Sequence, residues 1–298
     1  GQEGMVGSAV YKILKKQKNY KILECKRKNL DLTNQKKVYD WFKKNKPDFV
    51  VNCAGKVGGI LDNSKYQSEY LYINSMIGLN LVNASINFKV KKFINLGSAC
   101  IYPRSAKQPI KEDYLLSSAL EKTNEGYALA KILTLKYCQH LNLKKKIFLS
   151  MQPANLYGDN DNFDLSSSHV MPALVKKFHI AKIKKLKNVE VWGSGNVKRE
   201  FLHVDDLASA VLFCLKKKIS YDYINVGGGG YISIKNLAQK IKKITNFAGK
   251  IIYNLDYPDG VKHRKMSLER MNRLGWKSKI NLSNGLIDYY NYFKKIYK

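Results

Sequence analysis

Apolar positions along the 298-residue chain form short continuous runs that alternate with stripes at helical spacing. The runs Tyr20–Glu24, Phe49–Asn52, Lys92–Leu96 and Lys146–Met151 have strand length and predict buried strands. Between them, Ser8–Lys15, Gln35–Lys44, Tyr66–Phe88 and Ala119–Leu141 place apolar residues on one face of a helix. Strands and helices in this alternation predict an α/β fold, a doubly wound parallel Rossmann sheet over residues 1–153. Beyond Pro153 the alternation loosens, and residues 154–298 predict a smaller α+β lobe in which Phe201–Leu215 and Tyr223–Val226 return to the main sheet. Ser233–Thr245 and Asn284–Lys294 predict helices, and Lys250–Asn254 predicts a strand.

Charge complicates this picture. The net charge of +30, from 53 Lys and Arg against 23 Asp and Glu, raises nucleic-acid binding as a reading. The lysines, however, fall in scattered clusters such as Lys15, Lys16 and Lys18, Lys144–Lys146 and Lys216–Lys218, with no aromatic platform beside them. A solvated surface accounts for them, so no nucleic-acid partner is expected. The five cysteines, Cys25, Cys53, Cys100, Cys138 and Cys214, are odd in number and lack C-x-x-C spacing, which argues against a disulfide framework and a metal site. No apolar run approaches the ~20 residues of a membrane span, so no membrane partner and a cytoplasmic location are expected.

Three motifs carry chemistry. Gly1, Gly4 and Gly7 have the G-x-x-G-x-x-G spacing of a phosphate-binding turn and run into the Ser8–Lys15 helix, so a buried strand is expected ahead of Gly1. Tyr127 and Lys131 stand four residues apart on a predicted helix, where a nearby ammonium would lower the phenol pKa and make it a proton donor. Ser98, after the strand Lys92–Leu96, is placed to hydrogen-bond the same substrate carbonyl.

At these residues the chain resembles the GDP-L-fucose synthases, epimerase-reductases of the extended short-chain dehydrogenase/reductase type. The resemblance spans essentially the whole chain and rests on Ala54–Ile60, Gly97–Pro103, Asn155–Gly158, Ser168–Leu174, Val191–Gly195, Arg199–Asp206 and Pro258–Gly260. It implies that Ser98, Tyr127 and Lys131 reduce a C4 ketone, while Cys100 and His169 exchange protons at C3 and C5. A thiol and an imidazole both titrate near neutrality and suit such carbon acids. It also implies a nicotinamide dinucleotide on Gly1, Gly4, Met5, Val6 and Gly7, with Asp31 and Leu32 toward the adenine. Ala54, Gly55, Lys56, Leu96 and Gly97 would border the cofactor, as would Pro153, Asn155, Leu156 and His169. Lys177, Trp192, Arg199, Asp259 and Arg264 match substrate positions. Structural alternatives stand beside these roles: Cys100 as a packing residue, His169 as a helix cap, Trp192 as core. Asp205 and Asp206 are expected to hold a loop or cap a helix.

Two departures matter. Glu3 and Cys25 stand where the family commonly has arginines suited to a 2′-phosphate, although Lys26, Arg27 and Lys28 follow. NADPH is the expected cofactor, with NADH open. Lys262, His263 and Arg264 replace the family's usual Pro-Arg-Lys near the sugar. The expected substrate is a GDP-linked 4-keto-6-deoxy-hexose or heptose, and a reductase-only enzyme on a GDP-4-keto-heptose is the alternative. A catalytically silent dinucleotide sensor or a basic nucleic-acid binder is the reading from a different class, against which the complete Ser98, Tyr127 and Lys131 set argues. The resemblance further implies a homodimer through Tyr66–Phe88 and Ala119–Leu141.

Overall fold

The computed structural model describes residues 1–257 and 259–297. Its first half runs α1 (Met5–Lys15), α2 (Gln35–Asn45), β1 (Phe49–Asn52), α3 (Ile60–Lys65), α4 (Gln67–Asn87), β2 (Lys92–Leu96), α5 (Glu125–Asn142) and β3 (Phe148–Pro153). There follow β4 (Asn155–Tyr157), α6 (Val170–Ile183), β5 (Asn188–Trp192), β6 (Lys198–His203), α7 (Val204–Lys216) and β7 (Tyr223–Val226). The chain continues with β8 (Gly230–Ser233), α8 (Ile234–Thr245), β9 (Lys250–Asn254), β10 (His263–Arg264), α9 (Glu269–Leu274) and α10 (Leu282–Ile296).

The main sheet has the order β1-β2-β3-β7 and every pairing in it is parallel. Its strands read as continuous apolar runs because both faces are covered. On one face Val10, Leu149, Leu207, Val211 and Ile224 join α1 and α7 in a common core. On the other, Val38, Phe42, Leu81, Phe93 and Phe148 pack α2 and α4 against the strands. One polar line crosses this interior: Asn52, Asn95 and Ser150 are register partners, and their side chains bond at 3.1 and 3.4 Å. A buried amide ladder of this kind penalises any slip of register, because a slipped strand would leave the amides unpaired. It therefore fixes the heights at which β1, β2 and β3 release their loops.

A second sheet, β10-β6-β4 with β8 antiparallel to β6, carries the other core, where Phe178, Phe201, Leu237 and Phe293 meet. Helix α8 forms because Ile234, Leu237, Ala238 and Ile241 share its buried face, Ser233 caps it through the Asn236 N–H, and left-handed Asn246 ends it. Strands β5 and β9 form a separate parallel pair.

Several elements differ from expectation. Tyr20–Glu24 joins no ladder among the described residues. Of Phe201–Leu215, only the helix packs on the main sheet; Phe201–His203 pairs with β4 in the second sheet. Helix α5 starts at Glu125, not Ala119, because a 3-10 turn over Lys122–Asn124 precedes it. Strand β3 starts at Phe148 because the Asn142 side chain accepts from the Ile147 and Phe148 N–H groups and holds the turn there. No helix among the described residues is long and apolar enough to cross a membrane. Pro258, part of the Pro258–Gly260 motif, lies outside the described residues.

Candidate active site

The loops leaving the carboxyl ends of β1, β2 and β3 converge, as open parallel sheets require of a ligand site. On the cofactor side, α1 opens at Gly4 with no side-chain cap, so its first N–H groups and the positive end of its dipole are free to meet an anion. Gly1 has no room for a side chain: a Cβ would sit 2.5 Å from the Ala54 nitrogen, and one on Gly7 would collide with the Gly1 carbonyl oxygen. The turn is thus pressed on the end of β1, and its fit to a pyrophosphate rests on this cradle. Met5 and Val6 pack into the main core behind it.

Asp31 is exposed and accepts from the Thr33 N–H at 2.9 Å and hydroxyl at 2.7 Å, bonds that hold its carboxyl below the usual range. The Leu32 carbonyl is held by Asn80 at 2.9 Å. Asn74 clamps the Ala54–Lys56 loop, accepting the Lys56 N–H and donating to the Lys56 carbonyl, both at 3.0 Å. A Cβ on Gly55 would stand 2.8 Å from the Asn74 amide oxygen and 3.6 Å from the Lys131 nitrogen, so this loop passes directly over Lys131. Pro153 ends β3, and the Asn155 side chain donates to the Glu200 carbonyl at 3.0 Å, with Leu156 beside it in the main core.

Ser98 follows β2 and caps a single 3-10 turn over Ala99–Ile101, its hydroxyl accepting the Cys100 N–H at 3.1 Å. Its own N–H is held by the fully buried Gln152 side chain at 2.9 Å. Gly97 is needed there, because a Cβ would meet the Gln152 amide nitrogen at 2.7 Å. Lys131 is 8% exposed and donates to the Leu96 carbonyl at 2.9 Å, with its ammonium 5.6 Å from the Tyr127 ring centre. Burial lowers its pKa to about 8. The expected lowering of the Tyr127 pKa by Lys131 does not hold: burial and the neighbouring Cys100 push the phenol up, and only the bond to Ser98 pulls it down. Tyr127 therefore stays protonated, which is the form a proton donor needs.

Cys100 is half-buried on the same turn. Arg264 is also part of this turn, but as a support: its guanidinium is buried and donates to the Ala99 carbonyl at 2.6 Å. Through that one guanidinium nitrogen Arg264 holds the turn. Arg199 donates to the Val261 carbonyl at 2.5 Å, and burial with Arg264 nearby lowers its pKa to about 10. His169 stands at the position preceding α6, yet its side chain makes no capping bond. The residue is exposed, while desolvation by the protein around the ring lowers its pKa. His203 offers the contrast, capping α7 by accepting the Asp205 N–H at 3.2 Å. Asp206 holds a loop, accepting the Lys279 and Ile280 N–H groups at 3.1 and 2.9 Å.

Trp192 is not core. It is 39% exposed, stacked on Tyr257 at 4.3 Å and 10°, with the Lys177 ammonium 4.6 Å from its own ring centre. Lys177 also donates to the Glu190 carbonyl at 3.1 Å. Asp259 is tied to Ser194, accepting its N–H at 3.0 Å and hydroxyl at 2.6 Å. An open cleft of about 760 Å³ runs past Asp259 between Arg104, Lys122, Lys262 and His263, and none of Ser98, Tyr127 and Lys131 lines it. Asn74 and Gln152 were not identifiable as site residues from sequence, because their partners lie 18 and 54 residues away.

The profile of the NAD dependent epimerase/dehydratase family matches residues 1–227. A GDP-L-fucose synthase of Sinorhizobium fredii is 42% identical over 294 residues, covering 98% of this chain and 93% of the relative. A crystal structure of a GDP-6-OMe-4-keto-L-xylo-heptose reductase from C. jejuni matches with a TM-score of 0.92 at 33% identity, over 99% of this chain and 96% of the other. A GDP-L-fucose synthetase from Naegleria fowleri bound to NADP matches with a TM-score of 0.91 at 28% identity, over 100% and 92%.

Proposed function

The chain belongs to the NAD dependent epimerase/dehydratase family and, within it, to the GDP-L-fucose synthases, and from that premise we propose that it reduces the C4 ketone of a GDP-linked 4-keto-6-deoxy sugar after exchanging protons at C3 and C5. The observation that carries this reading is the single 3-10 turn after β2, which bears both Ser98 and Cys100 next to Tyr127.

The ketone at C4 acidifies C3 and C5, and hydrogen bonds from Ser98 and Tyr127 to O4 stabilise the enolate that forms when either proton leaves. Cys100 and His169 are the groups that take and return those protons, and neither side chain is committed to a structural hydrogen bond as a donor or cap. The reduced nicotinamide, when bound, supplies the hydride for C4. Tyr127 then gives its proton to O4, and Lys131 supports the phenolate that remains. The free first turn of α1 suits the dinucleotide pyrophosphate, and NADPH is the proposed form, in line with the NADP named for the Naegleria relative.

A reductase-only reading on a GDP-4-keto-heptose is favoured by the C. jejuni reductase likeness. The outer faces of α4 and α5 expose Leu71, Tyr72, Leu129 and Leu133, and we propose that a second copy of the chain covers them. The test of the function is NADPH oxidation with GDP-4-keto-6-deoxy-mannose and with a GDP-4-keto-heptose, using Tyr127→Phe as control. Turnover that falls ~10²–10⁴-fold in the variant is expected; equal turnover by the variant would remove Tyr127 from the chemistry.

A further inference from the structure

The segment from Asp161 to Ser168 leads into His169, and its internal bonds all close on itself through Asp164 and Asn162. Among the described residues, two hydrogen bonds anchor it to other elements. The Tyr289 hydroxyl donates to Asp161 at 2.7 Å at its start, and the Gly59 N–H donates to the Ser167 carbonyl at 2.7 Å near its end. The second anchor is close to His169, and the intervening Ser168 hydroxyl is buried without a partner. Backbone, not side chain, thus holds this end.

Gly59 has an ordinary backbone, with φ at −69°, so its glycine is not required by a left-handed turn. It is required by space: a Cβ there would collide with the Ser168 carbonyl oxygen and lie 3.4 Å from that of Ser167. What holds Gly59 in place is Asn63. This residue is 6% exposed, and its amide nitrogen donates to the Gly58 carbonyl at 2.6 Å and the Gly59 carbonyl at 3.0 Å. Gly58 is itself wedged, since a Cβ would stand 2.6 Å from an Asp62 carboxylate oxygen that already accepts the Tyr70 hydroxyl.

We propose that Asn63 is a positioning residue for His169, acting through the Gly59 contact with Ser167 and Ser168 and separately from the Ser98, Tyr127 and Lys131 set. The proton-exchange and reduction steps are then separable by a residue that touches neither substrate nor cofactor. This rests on the assignment of His169 to proton exchange, so its test includes a readout that does not. The full-length protein is labelled at histidine with ¹³C, and the ring signals of the wild type, Asn63→Leu and Gly59→Ala are compared by NMR, together with deuterium uptake at C3 and C5 and NADPH oxidation. The clamp requires that His169 alone among the five histidines shifts or broadens in both variants. Deuterium uptake should fall at least 10-fold, while NADPH oxidation with the already epimerised 4-keto sugar stays within about 3-fold. An unmoved His169 signal in folded Asn63→Leu overturns the proposal. If the wild type takes up no deuterium, the epimerase reading fails, and the His169 signal still decides whether the clamp exists. Should Gly59→Ala not fold, Asn63→Leu carries the comparison.

Discussion

Lys131 reaches out of α5 to the carbonyl oxygen of Leu96, 2.9 Å away at the end of β2, and so ties the helix that carries Tyr127 to the strand that delivers Ser98. This buried ammonium is costly. Its pKa is about 8 in the folded chain against an ordinary 10.5, because burial disfavours the charge. Stability from this group is fully present above the unfolded pKa and is lost as pH falls through about 8. Lys131→Met therefore should be more stable than the wild type at pH 7 by roughly 1–3 kcal/mol, with the gain shrinking above about pH 10. Urea unfolding at both pH values checks this, and NADPH oxidation by the variant should fall at least ~10²-fold.

Trp192 presents one face to Tyr257 and keeps 39% of its surface open, so its removal should cost the fold little. If it walls the substrate, Trp192→Ala should raise KM for the GDP-sugar about 10-fold, roughly 1.4 kcal/mol, with a smaller change in kcat. Steady-state kinetics with thermal unfolding of the same sample separates the two effects.

Asp161 is pushed up to about 6 by burial, against the bonds from Tyr289 and the Asn162 N–H, which lower it. A carboxyl raised above its unfolded value stabilises the fold fully below about pH 3.8, and that stability is lost as pH rises through about 6. Asp161→Asn keeps an acceptor for Tyr289 and no charge, so it should be more stable at pH 7 by about 1 kcal/mol, a figure reduced for the partial exposure of the site. Unfolding midpoints between pH 4 and 7 should slope downward for the wild type more than for the variant.

Glu3 is exposed in the glycine turn, where a carboxylate opposes a 2′-phosphate. Glu3→Arg should lower KM for NADPH about 10-fold and leave that for NADH within about 2-fold. The ratio of kcat/KM for the two cofactors reads this directly.

The placement of most candidate-site residues was legible in the sequence because they sit at motif spacing: Ser98 after a strand, Tyr127 and Lys131 one helical turn apart, Gly4 at a helix start. The supports were not legible. Gln152, Asn74, Asn63 and Arg264 act on backbone groups that only the tertiary fold brings to them, and side-chain type alone does not reveal such partners. The direction of the Tyr127 shift was missed for the same reason: spacing placed an ammonium nearby, while the desolvation that outweighs it depends on how the loops close over the helix. Tyr20–Glu24 has the pattern of a strand but joins no ladder among the described residues, which pattern alone does not register. His169 and His203 show the converse, since both precede a helix and only the geometry separates the free ring from the capping one.

The most direct measurement is the reaction of the full-length protein with NADPH and GDP-4-keto-6-deoxy-mannose in heavy water, following nicotinamide absorbance and locating deuterium in the product by NMR. One deuterium at C3 and one at C5, with one NADPH consumed per product, is the predicted result. NADPH consumption without deuterium at either carbon would contradict proton exchange by Cys100 and His169, and no consumption with this sugar or a GDP-4-keto-heptose would contradict the enzyme assignment itself.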